Sequence, residues 1–130
     1  MKTIEICGKK YPVTCNCLVY AKYREFFKTD IFLDINILQA FETKQVLLAK
    51  KLKDKNPDME DTAIMTSLSG TMIEDMGLFM EASTRIAYIM IYMADKSIEE
   101  YEKWLESIPS MKTNDEWIVE VTELAVSCFC

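Results

Sequence analysis

The chain has 130 residues, of which 50% are apolar and 28% are charged, with five cysteines and no histidine. This balance predicts one globular domain with its own core, and it excludes a disordered chain. Histidine is the commonest general base and metal ligand, so its absence disfavours acid–base catalysis and metal binding. We therefore expect a protein that is not an enzyme, without catalytic residues, cofactor or metal.

The formal net charge of −6 is distributed unevenly along the chain. Residues 1–57 carry 11 bases and 6 acids, whereas residues 58–130 carry 4 bases and 15 acids. Because the acidic half would repel phosphate, we expect no nucleic-acid partner. The basic run of Lys50, Lys51, Lys53 and Lys55 suits the carbonyl end of a helix. Contact between the halves of opposite sign remains open, either within one molecule or between copies, and only the second would produce self-association.

The cysteines are odd in number, and the first residues contain no apolar run that would suit a signal peptide. Both features predict a reducing cytoplasmic location. The pairs Cys15/Cys17 and Cys128/Cys130 are spaced more closely than the ligands of zinc knuckles. We expect the cysteines to be small buried hydrophobic residues, with a redox or metal-binding role as the weaker alternative.

The N-terminal residues alternate between apolar and polar side chains. This period of two predicts short strands over residues 3–7 and 11–14, joined at Gly8-Lys9-Lys10. Two strands alone are marginally stable in water. The hairpin, within residues 1–15, must therefore pack against helices or offer its edge to another chain.

Two helices are predicted next. Asn16 is the expected N-cap of the first, which extends to about Lys28. Its apolar face consists of Val19, Tyr23, Phe26 and Phe27. Residues 29–33 form a predicted connector, after which Asp34 caps a second helix that ends near Lys55. Its inward side chains are expected to be Leu38, Phe41, Leu48 and Leu52.

A break is predicted at Asn56-Pro57-Asp58, because the residue before proline avoids helical backbone angles. A short helix is expected from there to about Ser69, and Gly70 separates it from the following helix. A loop is the open alternative, since Ser, Thr and Gly are frequent in this segment and weaken its helical preference.

Residues 71–95 form the predicted central helix, opened by a capping box of Thr71 and Glu74. Apolar or small residues recur every three or four positions along it. From Ile86 to Ala94 every side is apolar, so the other segments should pack around this helix. The uncharged run between Arg85 and Asp95 is far shorter than the roughly 20 residues that a membrane span requires. We expect no membrane partner.

Two further helices complete the predicted body, which spans residues 16–130. Ser97 and Glu100 are expected to cap the first, which Pro109 ends, and Thr113 and Glu116 to cap the second. The apolar face of the first consists of Ile98, Tyr101, Trp104, Leu105 and Ile108. The apolar face of the second consists of Trp117, Val121, Leu124, Ala125 and Cys128. With Ile118, Val119, Val126 and Phe129 also apolar, the last helix has more hydrophobic surface than one packing face requires. The predicted fold is mainly α, with a hairpin and about five helices in one domain.

The last helix and the tryptophans are the predicted partner-binding surface. Tryptophan dominates both cores and interfaces, so a core role for each remains open. Apolar residues at a chain end, here LAVSCFC, tend to dock against something. The predicted partner-binding residues are Trp104, Trp117, Val121, Leu124 and Phe129.

The order of these segments resembles the tail assembly chaperones of long-tailed bacteriophages and prophages, particularly those of Gram-positive hosts. The resemblance rests on IEICGKKYPV, on ADKSIEEYEKWLESIP with its Trp104-Leu105 pair, and on EWIVEVTELAVSCF, in which Trp117 leads the last helix. It covers most of the chain in the right order, whereas residues 34–70 contribute little.

The resemblance implies a function in virion assembly. Such a chaperone acts in the host cytoplasm, binds the tape measure protein and helps recruit the major tail protein, which forms the tail tube. The residues leave a second interpretation open, a small helical adaptor or regulator that binds one folded partner. A thiol-based redox or metal protein is the third and weakest.

Overall fold

A computed structural model of the chain describes residues 2–55, 57–58 and 73–130. Within these ranges an antiparallel hairpin precedes five helices, which confirms the predicted mainly helical fold. The elements are β1 (Lys2–Ile6), β2 (Lys9–Val13), α1 (Leu18–Phe27), α2 (Ile31–Lys55), α3 (Ile73–Ala94), α4 (Tyr101–Glu106) and α5 (Glu116–Phe129).

The hairpin turns at Cys7 and Gly8, whose φ angles are 52° and 83°. Positive φ at both central residues is the geometry of a two-residue hairpin turn, and glycine adopts it without steric cost. The inward face of the two strands is buried and consists of Ile4, Ile6, Tyr11 and Val13. Beyond β2, the Thr14 amide donates to the Met90 carbonyl at 3.2 Å. The hairpin therefore packs on the helices, the first of its two predicted options.

Helix α3 lies at the centre of the core, as predicted. Residues 86–91 are all buried, since a helix that is apolar on every side must be covered on every side. Strand β2 and helices α1, α2 and α5 supply that cover. No described helix is long and apolar enough to cross a membrane.

Helix α1 begins two residues after the predicted cap. Cys17 occupies the N-cap position, but the Asn16 side chain still accepts the Leu18 amide proton at 3.0 Å. The helix ends at Phe27. Lys28 follows as the C-cap, and its left-handed backbone (φ 56°) lets its amide donate to the Arg24 carbonyl at 3.0 Å. The predicted span was accurate to two residues.

The predicted start of α2 was wrong. The helix begins at Ile31, and the carboxylate of Asp30 accepts the Phe32 amide proton at 3.0 Å. Asp34 is instead one turn inside the helix and 1% exposed. An aspartate can act as a cap only where amides lack helical partners, and Asp30 occupies that position first. The connector before α2 is therefore shorter than the predicted residues 29–33, because residues 31–33 belong to the helix.

The two later capping boxes do not form. Ser97 donates its hydroxyl proton to Asp95 at 2.6 Å, while α4 begins only at Tyr101 without a side-chain cap. Before α5, Asp115 accepts the Lys112 amide proton at 2.9 Å and so is turned back into the loop. In both cases a neighbouring aspartate engages the local donors, so the S/T-x-x-E spacing does not form a cap.

Most of the segment that was predicted as a short helix before the central helix lies outside the described residues. Pro57 and Asp58 lie in a turn. The remainder of the predicted helix to Ser69, Gly70, and the capping box of Thr71 with the Glu74 side chain lie outside the described part of the chain.

Candidate functional site

A groove between α2 and α5 is the best candidate for a binding site. We call it the α2–α5 groove, and its volume is about 330 Å³. Its lining residues are Leu38, Phe41, Glu42 and Gln45 from α2, Phe79 from α3, Thr113 and Asn114 from the loop before α5, and Ile118, Val119, Thr122 and Glu123 from α5. This volume is at the lower end of the roughly 300–1,000 Å³ range of small-molecule pockets, and it accommodates one or two large side chains.

The floor of the groove is part of the hydrophobic core. Leu38, Phe41, Phe79 and Ile118 are all at most 6% exposed. The rings of Phe41 and Phe79 stack with their centroids 4.2 Å apart, which joins α2 to α3. Because these side chains are held by core packing, the floor is preformed rather than assembled when a ligand arrives.

The rim of the groove combines one exposed apolar side chain with acidic and neutral polar ones. Val119 is 52% exposed on α5. Glu42 and Glu123 are exposed, and neither forms an ion pair with the described residues. The Thr122 hydroxyl is already occupied, since it donates to the Ile118 carbonyl at 2.7 Å. Lysine and arginine are absent from the described lining.

A smaller cleft of about 180 Å³ flanks Phe41 on the side of α3. It includes Leu78, which is 54% exposed, and the Lys44–Asp75 ion pair, whose N–O distance is 2.6 Å. Farther along α2, Val46 and Leu47 are 63% and 55% exposed. Exposed apolar side chains are therefore also present outside the α2–α5 groove, in the second half of α2.

The predicted partner-binding residues do not line this groove. Trp104, Trp117 and Val121 are at most 3% exposed. Both tryptophans therefore have the core role that the sequence had left open as an alternative. Leu124 and Phe129 are partly buried, and Phe129 packs edge-on against Phe32 with centroids 5.6 Å apart. A partner can therefore reach only the last two without disturbing the core.

Sequence reasoning missed the residues that do line the groove. The surplus of apolar residues on the last helix was the available signal. Trp117 and Val121 fill the core, so Ile118 and Val119, the two residues after Trp117, turn to the adjacent face of α5. Glu42 and Gln45 gave no signal, because a polar residue on an amphipathic helix is expected in solvent whether or not a groove is beside it.

Trp104 lies among the rings of Tyr11, Tyr88 and Tyr101, with centroids 5.6 to 6.3 Å away. Its indole nitrogen is buried and has no hydrogen-bond partner among the described residues. An indole donor without a partner loses its hydration on folding without compensation. The packing of this aromatic cluster therefore accounts for the position of Trp104.

A second set of polar residues lies inside the helical body. Arg85 donates from Nε and Nη2 to the carboxylate of Asp34 at 3.0 and 2.9 Å, and from Nη1 to Glu81 at 2.5 Å. The Tyr23 hydroxyl donates to the same carboxylate. Burial raises the pKa of Tyr23, and the hydrogen bond and charge of Asp34 raise it further. This network joins α1, α2 and α3, and its burial makes it a structural clasp.

The cysteines differ from their prediction. Cys7, Cys17, Cys128 and Cys130 are exposed and Cys15 is partly buried, so their assignment as buried hydrophobic residues was wrong. They lie in the hairpin turn, before α1 and at the end of α5, where little of the chain covers them. Burial raises the pKa of Cys15, as do its hydrogen bond to Cys128 and the charge of that thiol. Among the described residues, no cluster of cysteines and carboxylates has the arrangement of a metal site.

Comparisons with known protein families, with curated proteins and with solved structures give no match. The resemblance to tail assembly chaperones therefore stays a prediction.

Proposed function

We propose that this protein is a non-catalytic tail assembly chaperone of a long-tailed phage or prophage. In the host cytoplasm it binds the tape measure protein and helps to recruit tail tube subunits. The proposal combines the resemblance carried by the hairpin, the Trp104-Leu105 segment and the last helix with one structural observation. That observation is the α2–α5 groove, a preformed apolar site beside exposed Val119.

The shape of this surface suits a client that must be held and later released. A long helical client exposes a repeating apolar stripe, and a helix-in-groove contact covers a few residues of such a stripe at a time. A groove of about 330 Å³ accepts only one or two side chains, so each contact is weak. Copies that also contact one another along one client would together bind it tightly through avidity, while each copy could still be displaced.

A small adaptor that binds one folded partner is the second candidate. The observation that favours it is the compactness of the groove, because one short helix or loop of a partner would fill it. The two functions predict different stoichiometries. A chaperone binds in many copies along one client chain, whereas an adaptor binds its partner in a fixed small ratio.

The chaperone proposal is tested by co-expression with a long, coiled-coil-like protein encoded beside this one. We expect the client to be soluble only in the presence of the wild-type chain. Val119→Lys should abolish this effect, since it places a charge at the apolar edge of the groove. Leu33→Lys is the matched control, because Leu33 is also exposed (60%) and lies outside the groove lining.

Point substitutions are preferable to removing the tail after Leu124, because Ala125 is fully buried and its loss would disturb the core. Circular dichroism should show that both variants fold. If the Val119→Lys variant dissolves the client as well as wild type does, the groove is not the contact. If the wild-type chain fails to dissolve it, the chaperone proposal fails.

A further inference from the structure

We propose that the α2–α5 groove selects positively charged amphipathic helices: two apolar side chains enter the groove, and lysine or arginine beside them meets its acidic rim. This inference rests on the proposed function, and it names the chemistry of the client segment.

Among the described residues, the two charged side chains that line the groove are both acidic. Glu42 and Glu123 lie on opposite walls, one on α2 and the other on α5. Residues 113–130, which supply the α5 wall, contain Asp115, Glu116, Glu120 and Glu123 but no lysine or arginine. A concave surface of one charge concentrates ligands of the opposite charge and repels those of its own.

The lysines nearest to the rim in sequence do not pair with it. Lys112 precedes the lining residue Thr113, but it takes no part in an ion pair of the described residues. Lys44 is the nearest lysine in sequence to Glu42, and it is held by Asp75 at 2.6 Å in the cleft on the other side of Phe41. Neither Glu42 nor Glu123 takes part in an ion pair of the described residues. Both carboxylates are therefore available to a bound cation.

The length of the groove fits a short stretch of helix. Its α2 wall extends from Leu38 to Gln45, which corresponds to about 10 Å of helix, or two turns. Two apolar side chains four residues apart on a helix are about 6 Å apart and would both fit this length. Apart from Thr113 and Asn114 in the loop before α5, the walls are helices whose backbone groups bond internally, so side chains provide most of the recognition.

The test uses two fluorescently labelled peptides of about 18 residues, long enough to populate a helix. Both are alanine-based with two leucines four positions apart, and they differ only in whether lysine or glutamate flanks the leucines. By fluorescence anisotropy with the full chain, the lysine peptide should bind about tenfold more tightly than the glutamate peptide. The difference should largely disappear in about 1 M salt, where the Debye length is about 3 Å.

Charge reversal at the rim provides the decisive comparison. A double variant with Glu42→Lys and Glu123→Lys should reverse the preference of the groove between the two peptides. The matched control carries Glu102→Lys and Glu106→Lys, which reverse two exposed glutamates on α4 and should leave the preference intact. Replacing the two leucines of the lysine peptide by alanine should remove binding, which separates groove insertion from charge attraction alone.

Equal affinities for the two peptides, binding of neither, or an unchanged preference in the rim variant would each overturn the inference. Co-expression distinguishes this failure from failure of the proposed function. If the chain still dissolves the long helical client, and Val119→Lys still prevents it, the groove is a client site without charge selection.

Discussion

Asp34 shows how burial changes the role of a single residue. Its carboxylate is 1% exposed, and it accepts protons from Tyr23 and twice from Arg85. An isolated buried carboxylate would be strongly unfavourable, but three donors, two of them from the guanidinium of Arg85, offset the lost hydration. The residue therefore joins three helices, although its type and position in the sequence suit a cap equally well.

Replacing this carboxylate should be among the most damaging single changes in the chain. Asp34→Ala leaves Arg85 and the Tyr23 hydroxyl without their shared partner, so we expect it to lower the free energy of unfolding by about 3 kcal/mol. Glu81→Ala removes the exposed partner of the same arginine and should cost less than about 1 kcal/mol. Urea unfolding measures the free energy of unfolding of both variants. Similar losses in the two would contradict the stabilising role of the buried Asp34 carboxylate.

Tyr23 should make stability fall at alkaline pH. Its pKa is raised in the folded protein, first by burial and then by the hydrogen bond and charge of Asp34. Folding therefore favours the neutral phenol, and this contribution is complete below the unfolded pKa of about 10. As pH rises above that value it decreases, by about 1.4 kcal/mol per pH unit.

Tyr23→Phe provides the comparison for this pH dependence. At neutral pH it should cost about 1–3 kcal/mol, because it removes a hydrogen bond to a buried charge. Above pH 10 the difference from wild type should narrow, since phenylalanine cannot ionise. Tyr88 and Tyr101, whose pKa values are also raised first by burial, are present in both proteins and cancel in the difference. A constant difference across this pH range would refute the explanation.

The helices show that an element can be predicted well while its ends are not. The apolar periodicity of α3 identified a helix that buries all six residues from 86 to 91. At helix ends, several side chains within reach compete for the same few amides, and the closest one with suitable geometry forms the bond. Asp30 caps α2 in place of Asp34, whereas Asp95 holds Ser97 away from α4.

A pair of alanine substitutions tests which residues act as caps. Asp30→Ala should lower the free energy of unfolding by about 1 kcal/mol, because the Phe32 amide loses its acceptor. Ser97→Ala should change it by less than about 0.5 kcal/mol, since the Ser97 hydroxyl bonds to exposed Asp95 rather than to a helix amide. Thermal or urea unfolding distinguishes the two, and equal effects would restore the predicted capping box.

At the scale of the whole molecule, the basic first half and the acidic second half of the chain form separate charged surfaces. The basic run at the end of α2 includes exposed Lys50, Lys51 and Lys55, beside exposed Val46 and Leu47. Acidic residues are concentrated in and just before α5, where Glu123 lines the α2–α5 groove. Two different surfaces of opposite charge favour heterologous contacts between copies, and such contacts form open chains unless their rotation closes a ring.

We therefore expect salt-dependent self-association. Sedimentation velocity at low ionic strength should show species that grow with protein concentration, and they should dissociate as salt screens the charges. A variant with Glu116→Lys and Glu120→Lys should weaken the association, whereas Glu102→Lys with Glu106→Lys on α4 should not. A monomer whose size is indifferent to salt across a wide concentration range would contradict the expectation.

The sequence alone predicted the mainly helical class, the hairpin and the central position of α3, because these depend on periodicity along the chain. A period of two gives a hairpin face, and a segment that is apolar on every side requires cover. It also predicted that the last helix has more apolar surface than one packing face needs. Each of these properties depends on the order of apolar and polar residues within one segment of the chain.

Only the tertiary structure decided which apolar residues are core and which line a site. Trp117 and Ile118 are neighbours in sequence, yet Ile118 lies under the α2–α5 groove while Trp117 does not line it. Asp34 and Arg85, 51 positions apart, became partners because α2 packs on α3. These outcomes depend on the rotation of each helix about its axis and on the neighbour it meets. The rotation and the neighbour are both set by the packing of segments that are distant in sequence, so the residue pattern of a single helix does not determine them.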